Sequence, residues 1–248
     1  MPKEPRARDN RGSQKSGDTV TRNIVIGMVA LVVLSGLIFT VLDKRTSVEV
    51  TLPKAIEKID ASSNGAPLKG AVVPDNDYGI VFNADVAPRI DIWEDFQCPF
   101  CKDFETAMSS YVEDLVRNKE ANVVYHMTSF IGEESKNAAN AAYCAVEEGR
   151  FIEFHRALYQ VQGTENSGIF SKKNLVEIGK RLGITSPTFE SCVNDNKNAD
   201  TVAKVYASMA KNKVEGTPTV FINGKLWSRS GSQFVVDEFK AAVEAAKK

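Results

Sequence analysis

The sequence predicts an α/β fold: a strand-helix-strand unit and a strand-strand-helix unit, separated by a helical insertion and preceded by one N-terminal transmembrane helix. Three observations carry that prediction. A Cys-x-x-Cys pair, Cys98 and Cys101, stands where a strand-like run meets a run of helical periodicity. Thr217-Pro218 opens a short β-rich run that is followed by an Asn-Gly turn. Between them, residues 134–213 hold helical runs and little that reads as a strand, a stretch too long for an ordinary connection.

The elements follow in chain order. Residues 1–22 hold six basic residues against three acidic ones, a solvated cytoplasmic tail. Residues 23–42 carry no charge and are rich in Ile, Val and Leu, and twenty such residues span a bilayer core of about 30 Å. A cleaved leader would end in a small-x-small site, and none follows Leu42. The span is therefore read as an uncleaved anchor in the cell membrane. The basic flank places the N-terminus in the cytoplasm and everything after Lys44 outside. Residues 43–77, punctuated by Pro53, Gly65, Pro67 and Pro74, read as an extracytoplasmic stalk.

The domain expected over 78–248 begins with strands at Tyr78–Phe82 and Arg89–Trp93. A helix follows the cysteine pair, because Phe104, Ala107, Met108, Tyr111, Val112, Leu115 and Val116 recur at i, i+3, i+4, i+7. A further strand covers 122–130. In the insert, Ala138, Ala141, Ala142, Ala145 and Val146 form one helical stripe and Phe151, Phe154 and Leu158 another, with more helix at 175–182 and 202–209. A hairpin, 219–222 and 226–227 around Asn223-Gly224, precedes a closing helix near 234–246.

The net charge of −1 gives no basic field for nucleic acid. The chemistry lies in the cysteines. A thiol at the first turn of a helix meets unpaired N–H groups and the positive end of the helix dipole, so its thiolate is favoured. A second thiol one turn on can close a disulfide with it. Pro99 fits the first helical position, where its missing N–H costs nothing. Cys-x-x-Cys is also a zinc spacing, but no second such pair and no His-x-x-x-His completes it, so no metal is expected. Outside the cytoplasm, four cysteines are available for disulfides in three connectivities. The pairings expected are 98–101 and 144–192. His126 and His155 are read as structural, and Asp95 as a helix cap. Trp93, Phe96 and Phe100 are read as core more readily than as the floor of a peptide groove.

The runs 93–101, Trp-Glu-Asp-Phe-Gln-Cys-Pro-Phe-Cys, and 216–224, Gly-Thr-Pro-Thr-Val-Phe-Ile-Asn-Gly, resemble the DsbA-like branch of the thioredoxin superfamily. The resemblance covers about residues 78–247 and looks closest to single-pass anchored members from Gram-positive, especially actinobacterial, envelopes. It implies a thioredoxin fold with the helical insert. It implies catalysis by Cys98 and Cys101, and a cis bond before Pro218 with Thr217 facing the sulfurs. Substrate contact would fall to Thr217, Pro218, Pro99 and Phe100. A second disulfide, Cys144–Cys192, is what some anchored relatives carry. No cofactor is implied; the partners would be exported unfolded or reduced proteins and a quinone-linked membrane reoxidase of the VKOR or DsbB kind.

Two departures stand out. Many relatives place a buried acid six residues before the first cysteine; here that residue is Ile92, and Asp91 points to the other face. The dipeptide between the cysteines is Pro-Phe, so a cationic stabiliser found in Pro-His relatives is missing. The expected activity is extracytoplasmic oxidation of client thiols by the 98–101 disulfide. The alternatives are a reductase or isomerase using the same site, and a membrane-tethered binding or chaperone module whose disulfide is inert.

Overall fold

The computed structural model describes residues 68–247. The tail at 1–22, the span at 23–42 and most of the stalk lie outside the described residues. Among the described residues, no helix is long and apolar enough to cross a membrane.

Six strands form one sheet: β1 (Ala71–Val73), β2 (Gly79–Phe82), β3 (Arg89–Glu94), β4 (Asn122–Met127), β5 (Thr219–Ile222) and β6 (Lys225–Trp227), in the order β1-β2-β4-β3-β5-β6. β3 pairs parallel with β4 and antiparallel with β5. A crossover helix, α1 (Pro99–Arg117), joins the parallel pair. The insert supplies α2 (Glu133–Glu147), α3 (Phe151–Val161), α4 (Lys172–Arg181), α5 (Pro187–Asn194) and α6 (Ala199–Lys211), and α7 (Val236–Ala246) closes the chain. The strand-helix-strand, helical insert, strand-strand-helix order is as the sequence predicts. The structure differs at the start of the domain. Part of the expected stalk is a strand, because Ala71–Val73 pairs with Gly79–Val81 and covers the edge of β2.

The central strands are buried from both sides. Ile90, Ile92 and Glu94 of β3 are fully buried on one face, and α1 with α7 closes that side, Phe104 of α1 lying edge-on to Phe239 of α7. Tyr125 of β4 and Phe151 and His155 of α3 continue the same layer. On the opposite face Trp93 stacks on His126 at 4.0 Å, nearly parallel. His126 Nε2 lies 3.0 Å from Asp91, which also takes two bonds from Arg89. Asp91 thus does face away from the side that carries Ile92, and its carboxyl sits below the usual range despite burial because Arg89 and His126 hold it charged.

The insert is built around α2. Its alanines 138, 139, 141, 142 and 145 are all fully buried, and their small side chains let α3, α4, α5 and α6 approach it closely. The Cys144–Cys192 bridge joins α2 to α5 across 48 residues, and the Asn198 amide donates to both sulfurs. At the β5–β6 hairpin, Asn223 and Gly224 have φ of 49° and 73°, the left-handed pair that a two-residue turn requires and for which Asn-Gly is suited.

The bridge closes a 48-residue loop, for which the loop-entropy relation gives about 4 kcal/mol. Replacing both cysteines by alanine should lower the urea unfolding free energy by that order, with the slope little changed. A loss below about 1 kcal/mol would show that α2 and α5 are held together by packing alone.

Candidate redox site

Cys98 is the residue that starts α1. Its backbone is extended, φ −71° and ψ 119°, and Pro99 occupies the first helical position as expected. No side-chain oxygen caps this helix, so its first amides are left for the sulfur. Cys98 and Cys101 stand as the dithiol. The Cys98 thiol is lowered to about 6 by the hydrogen bond with Cys101 first, then by the Thr217 side chain and the amides of Cys101 and Phe100, against the cost of burial. Burial pushes the Cys101 thiol well up, reinforced by its bond to Cys98 and the negative field of Glu94. Two thiols three residues apart are thereby driven in opposite directions. Cys98 is a small part exposed and Cys101 is fully buried.

The Thr217-Pro218 peptide is cis, as the resemblance implies, and Cys98 Sγ donates to the Thr217 carbonyl at 3.3 Å. A second cis bond, Ala87-Pro88, precedes β3; nothing in the sequence had singled it out. Beside the sulfur lies an open groove of about 370 Å³ lined by Phe100, Thr217, Pro218, Leu226, Trp227 and Phe234 among others. Phe100 and Leu226 stand well exposed on it, and Trp227 and Phe234 are backed by Phe239 and Phe104. Phe100, Thr217 and Pro218 therefore meet as expected. Pro99 is exposed at the helix start and is not part of that lining. Trp93 and Phe96 are core, as read, while Phe100 belongs to the groove.

The active loop is clamped from the insert. Asp95, expected as a helix cap, does something else. Its carboxylate accepts from the amides of Gln97, Phe130 and Ile131 and from the Ser135 hydroxyl, tying the loop after β4 and the start of α2 to the residues before Cys98. The Gln162 amide donates to the carbonyls of Phe96 and Cys98, and Gln97 engages Ser135 and the Asn166 backbone. Lys102 donates to the Gln162 carbonyl at 3.0 Å.

The buried acid absent at Ile92 is present two residues later. Glu94 is fully buried on the same face of β3 as Ile92, and its carboxyl is raised well above normal by desolvation first and by the field of Cys98 second. Its Oε2 is 3.0 Å from Nε2 of His155, so His155 is part of the site rather than only structural. Strand alternation was the signal for Glu94, since positions 92 and 94 share a face. No comparable signal exists for His155, which reaches the site from 61 residues away.

A family model described as thioredoxin matches residues 76–245. Among solved structures, the chain is similar to the reduced disulfide bond oxidoreductase DsbG of Mycobacterium tuberculosis, with 28% identity, TM-score 0.56, and 64% of this chain and 77% of that one covered. It is also similar to reduced DsbA of the same organism, at 27% identity and TM-score 0.54, covering 64% and 82%. Among curated proteins it is 27% identical over 189 residues to the Na(+)/H(+) antiporter NhaA 3 of Salinispora tropica, covering 76% of this chain and 27% of that protein. The chain spans about a quarter of the length of the first curated relatives it matches.

In the reduced protein, the alkylation rate of Cys98 should rise with pH around a midpoint of about 6, while Cys101 stays unreactive through neutral pH. The folded thiol titrates below its unfolded value. The stability it gives the reduced protein is therefore complete above the unfolded value and is lost as pH falls through about 6. A midpoint near 8.5, the ordinary thiol value, would contradict the site geometry.

Proposed function

The chain belongs to the thioredoxin superfamily, in its DsbA-like branch, and from that premise we propose that it oxidises dithiols of exported proteins outside the cytoplasm. The observation that carries the reading is the opposed pair at the start of α1, a stabilised thiolate at Cys98 beside a buried thiol at Cys101. A disulfide is oxidising when its reduced form is stabilised, and a low-pKa sulfur is the better leaving group.

The steps follow from the geometry. A client thiolate attacks Cys98 Sγ, the only one of the two sulfurs with any exposure. The Cys98–Cys101 bond breaks, its electron pair leaves on Cys101 Sγ, and that sulfur takes a proton from the buried acid Glu94. The client's second thiolate then attacks its own sulfur in the mixed disulfide and releases Cys98 as thiolate. The client has lost two electrons and the enzyme has gained them. An extended client segment lies in the groove of Phe100, Thr217, Pro218 and Leu226, next to the edge strand β6. The lining sets Phe100, Leu226 and Trp227 beside Thr219, Ser228 and Arg229, so the segments it accepts carry both apolar and polar groups around the cysteine.

The basic flank and the uncharged run at 23–42 support tethering in the cell membrane with the domain outside. Turnover needs an electron acceptor, and a quinone-linked membrane reoxidase is the partner class that an enzyme held in that plane would meet.

Cys101→Ser should accumulate a mixed disulfide with a reduced client, visible on a non-reducing gel, whereas Cys98→Ser should form none. Equilibration of the full chain against glutathione should place the couple at about −120 to −180 mV; a value near about −270 mV would assign it to reduction instead.

A further inference from the structure

Three titratable side chains from three elements close on one another behind the cysteine pair. Glu94 of β3 is fully buried, Glu105 of α1 is 5% exposed and His155 of α3 is 3% exposed. One polar atom from each lies within 4.8 Å of the others. His155 Nε2 is 3.0 Å from Glu94 Oε2, its Nδ1 is 3.7 Å from Glu105 Oε2, and the two carboxyl groups face each other within 4.8 Å, close enough for one to act on the other. The rings of Phe96, Tyr125, Phe151 and Tyr159 surround the imidazole. The neighbouring cation, Arg156, is held by Glu113 at 2.7 Å. Glu113 also acts directly on Glu105 and His155, Cys98 acts on Glu94 and Glu94 on Cys101, and the phenols of Tyr125 and Tyr159 feel both glutamates.

Proton counting limits what this cluster can be. Two carboxylates offer only acceptors to each other, so this approach is favourable only with a proton between Glu94 and Glu105. Leaving both ionised in a dry site without a cation costs several kcal/mol each. With two carboxylic acids and one neutral imidazole, each member donates once and accepts once. Glu105 donates to Glu94, Glu94 donates to Nε2 of His155, and Nδ1 faces Glu105 across a looser 3.7 Å. Burial acts the same way on all three, raising both glutamates and lowering the histidine.

We infer that Glu94, Glu105 and His155 form a neutral proton-sharing ring in which Glu105 and His155 position the proton that Glu94 exchanges with Cys101. The inference rests on the oxidoreductase reading and adds to it the fate of the charge. As Cys101 Sγ leaves with the electron pair of the broken disulfide, the Glu94 proton passes to it and the Glu105 proton refills Glu94. One proton has moved from ring to sulfur. The anion ends on Glu105, against the imidazole N–H, rather than on Glu94 next to the Cys98 thiolate. Glu105 and His155 are positioning residues, because neither meets a sulfur in this scheme.

The test uses the full chain in detergent, oxidised, with wild type, Glu105→Gln and His155→Gln compared. Infrared spectra at neutral pH should show a protonated-carboxyl band in wild type that Glu105→Gln removes or shifts. Stopped-flow reaction with a reduced cysteine peptide should be slowed about tenfold or more in Glu105→Gln, part of the range that a positioned proton donor supplies. The pH profile of that step should change, while the alkylation midpoint of reduced Cys98 stays at about 6. That unchanged midpoint also certifies that the variant is folded. An absent carboxyl band in wild type, a stoichiometric divalent metal found in its place, or wild-type kinetics and pH profile in both variants would overturn the ring. Failure of wild type to exchange with any thiol would instead overturn the oxidoreductase reading, with the infrared band still reporting on the ring.

Discussion

The start of α1 is the constraint on which the rest depends. A helix leaves its first amides unbonded, and here the residue placed to meet them is a cysteine rather than the usual serine or aspartate. The cap position is thus filled by a sulfur that gains the bonds of those amides only as it becomes negative. One turn on, Cys101 enters the fully buried stripe with Phe104 and Met108, where charge is penalised. The asymmetry of the two sulfurs is a consequence of helix geometry. It needs no cation, and so survives the absence of a histidine between the cysteines.

A sulfur at a helix start works only if the loop before it is held still, and the insert provides that. Asp95 gathers four donors from the active loop, the β4–α2 loop and α2 itself. Gln162 at the end of α3 fixes the carbonyls on either side of Gln97. The insert in turn is pinned by the alanine face of α2 and the Cys144–Cys192 bridge. The helices that seem remote from the chemistry therefore form the wall against which the redox turn is braced. They leave the other side of Cys98, toward Thr217-Pro218 and β6, open as a groove.

What was legible in the sequence was local or periodic. The stripe from Phe104 to Val116 gave α1, the alanines gave α2, and Asn223-Gly224 gave the hairpin. The cysteine spacing and Thr217-Pro218 gave the site, and the distant cysteine pair gave the bridge. What was not legible depended on contacts across the chain. β1 is too short to show a pattern, and exists because the edge of β2 needs a partner. Asp95 stood three residues before Cys98, where a cap would be expected, yet its oxygens turn to Phe130, Ile131 and Ser135, more than thirty residues on. His155 carried no motif at all; only the packing of α3 over β3 brings it to Glu94.

The position of the buried acid shows how the same requirement is met by a different residue. Ile92 and Glu94 share the inward face of β3, and two residues of strand advance the side chain by about 6.6 Å toward the cysteine loop. An acid so close to Cys98 would oppose its thiolate if it were ionised, and the charge on Cys98 indeed raises the Glu94 carboxyl. The conflict is removed if Glu94 remains protonated while Cys98 is negative, which desolvation and the field of Cys98 itself both favour. A donor held in its acid form at neutral pH is what a leaving Cys101 requires. The proximity that looks unfavourable for one sulfur is therefore what serves the other.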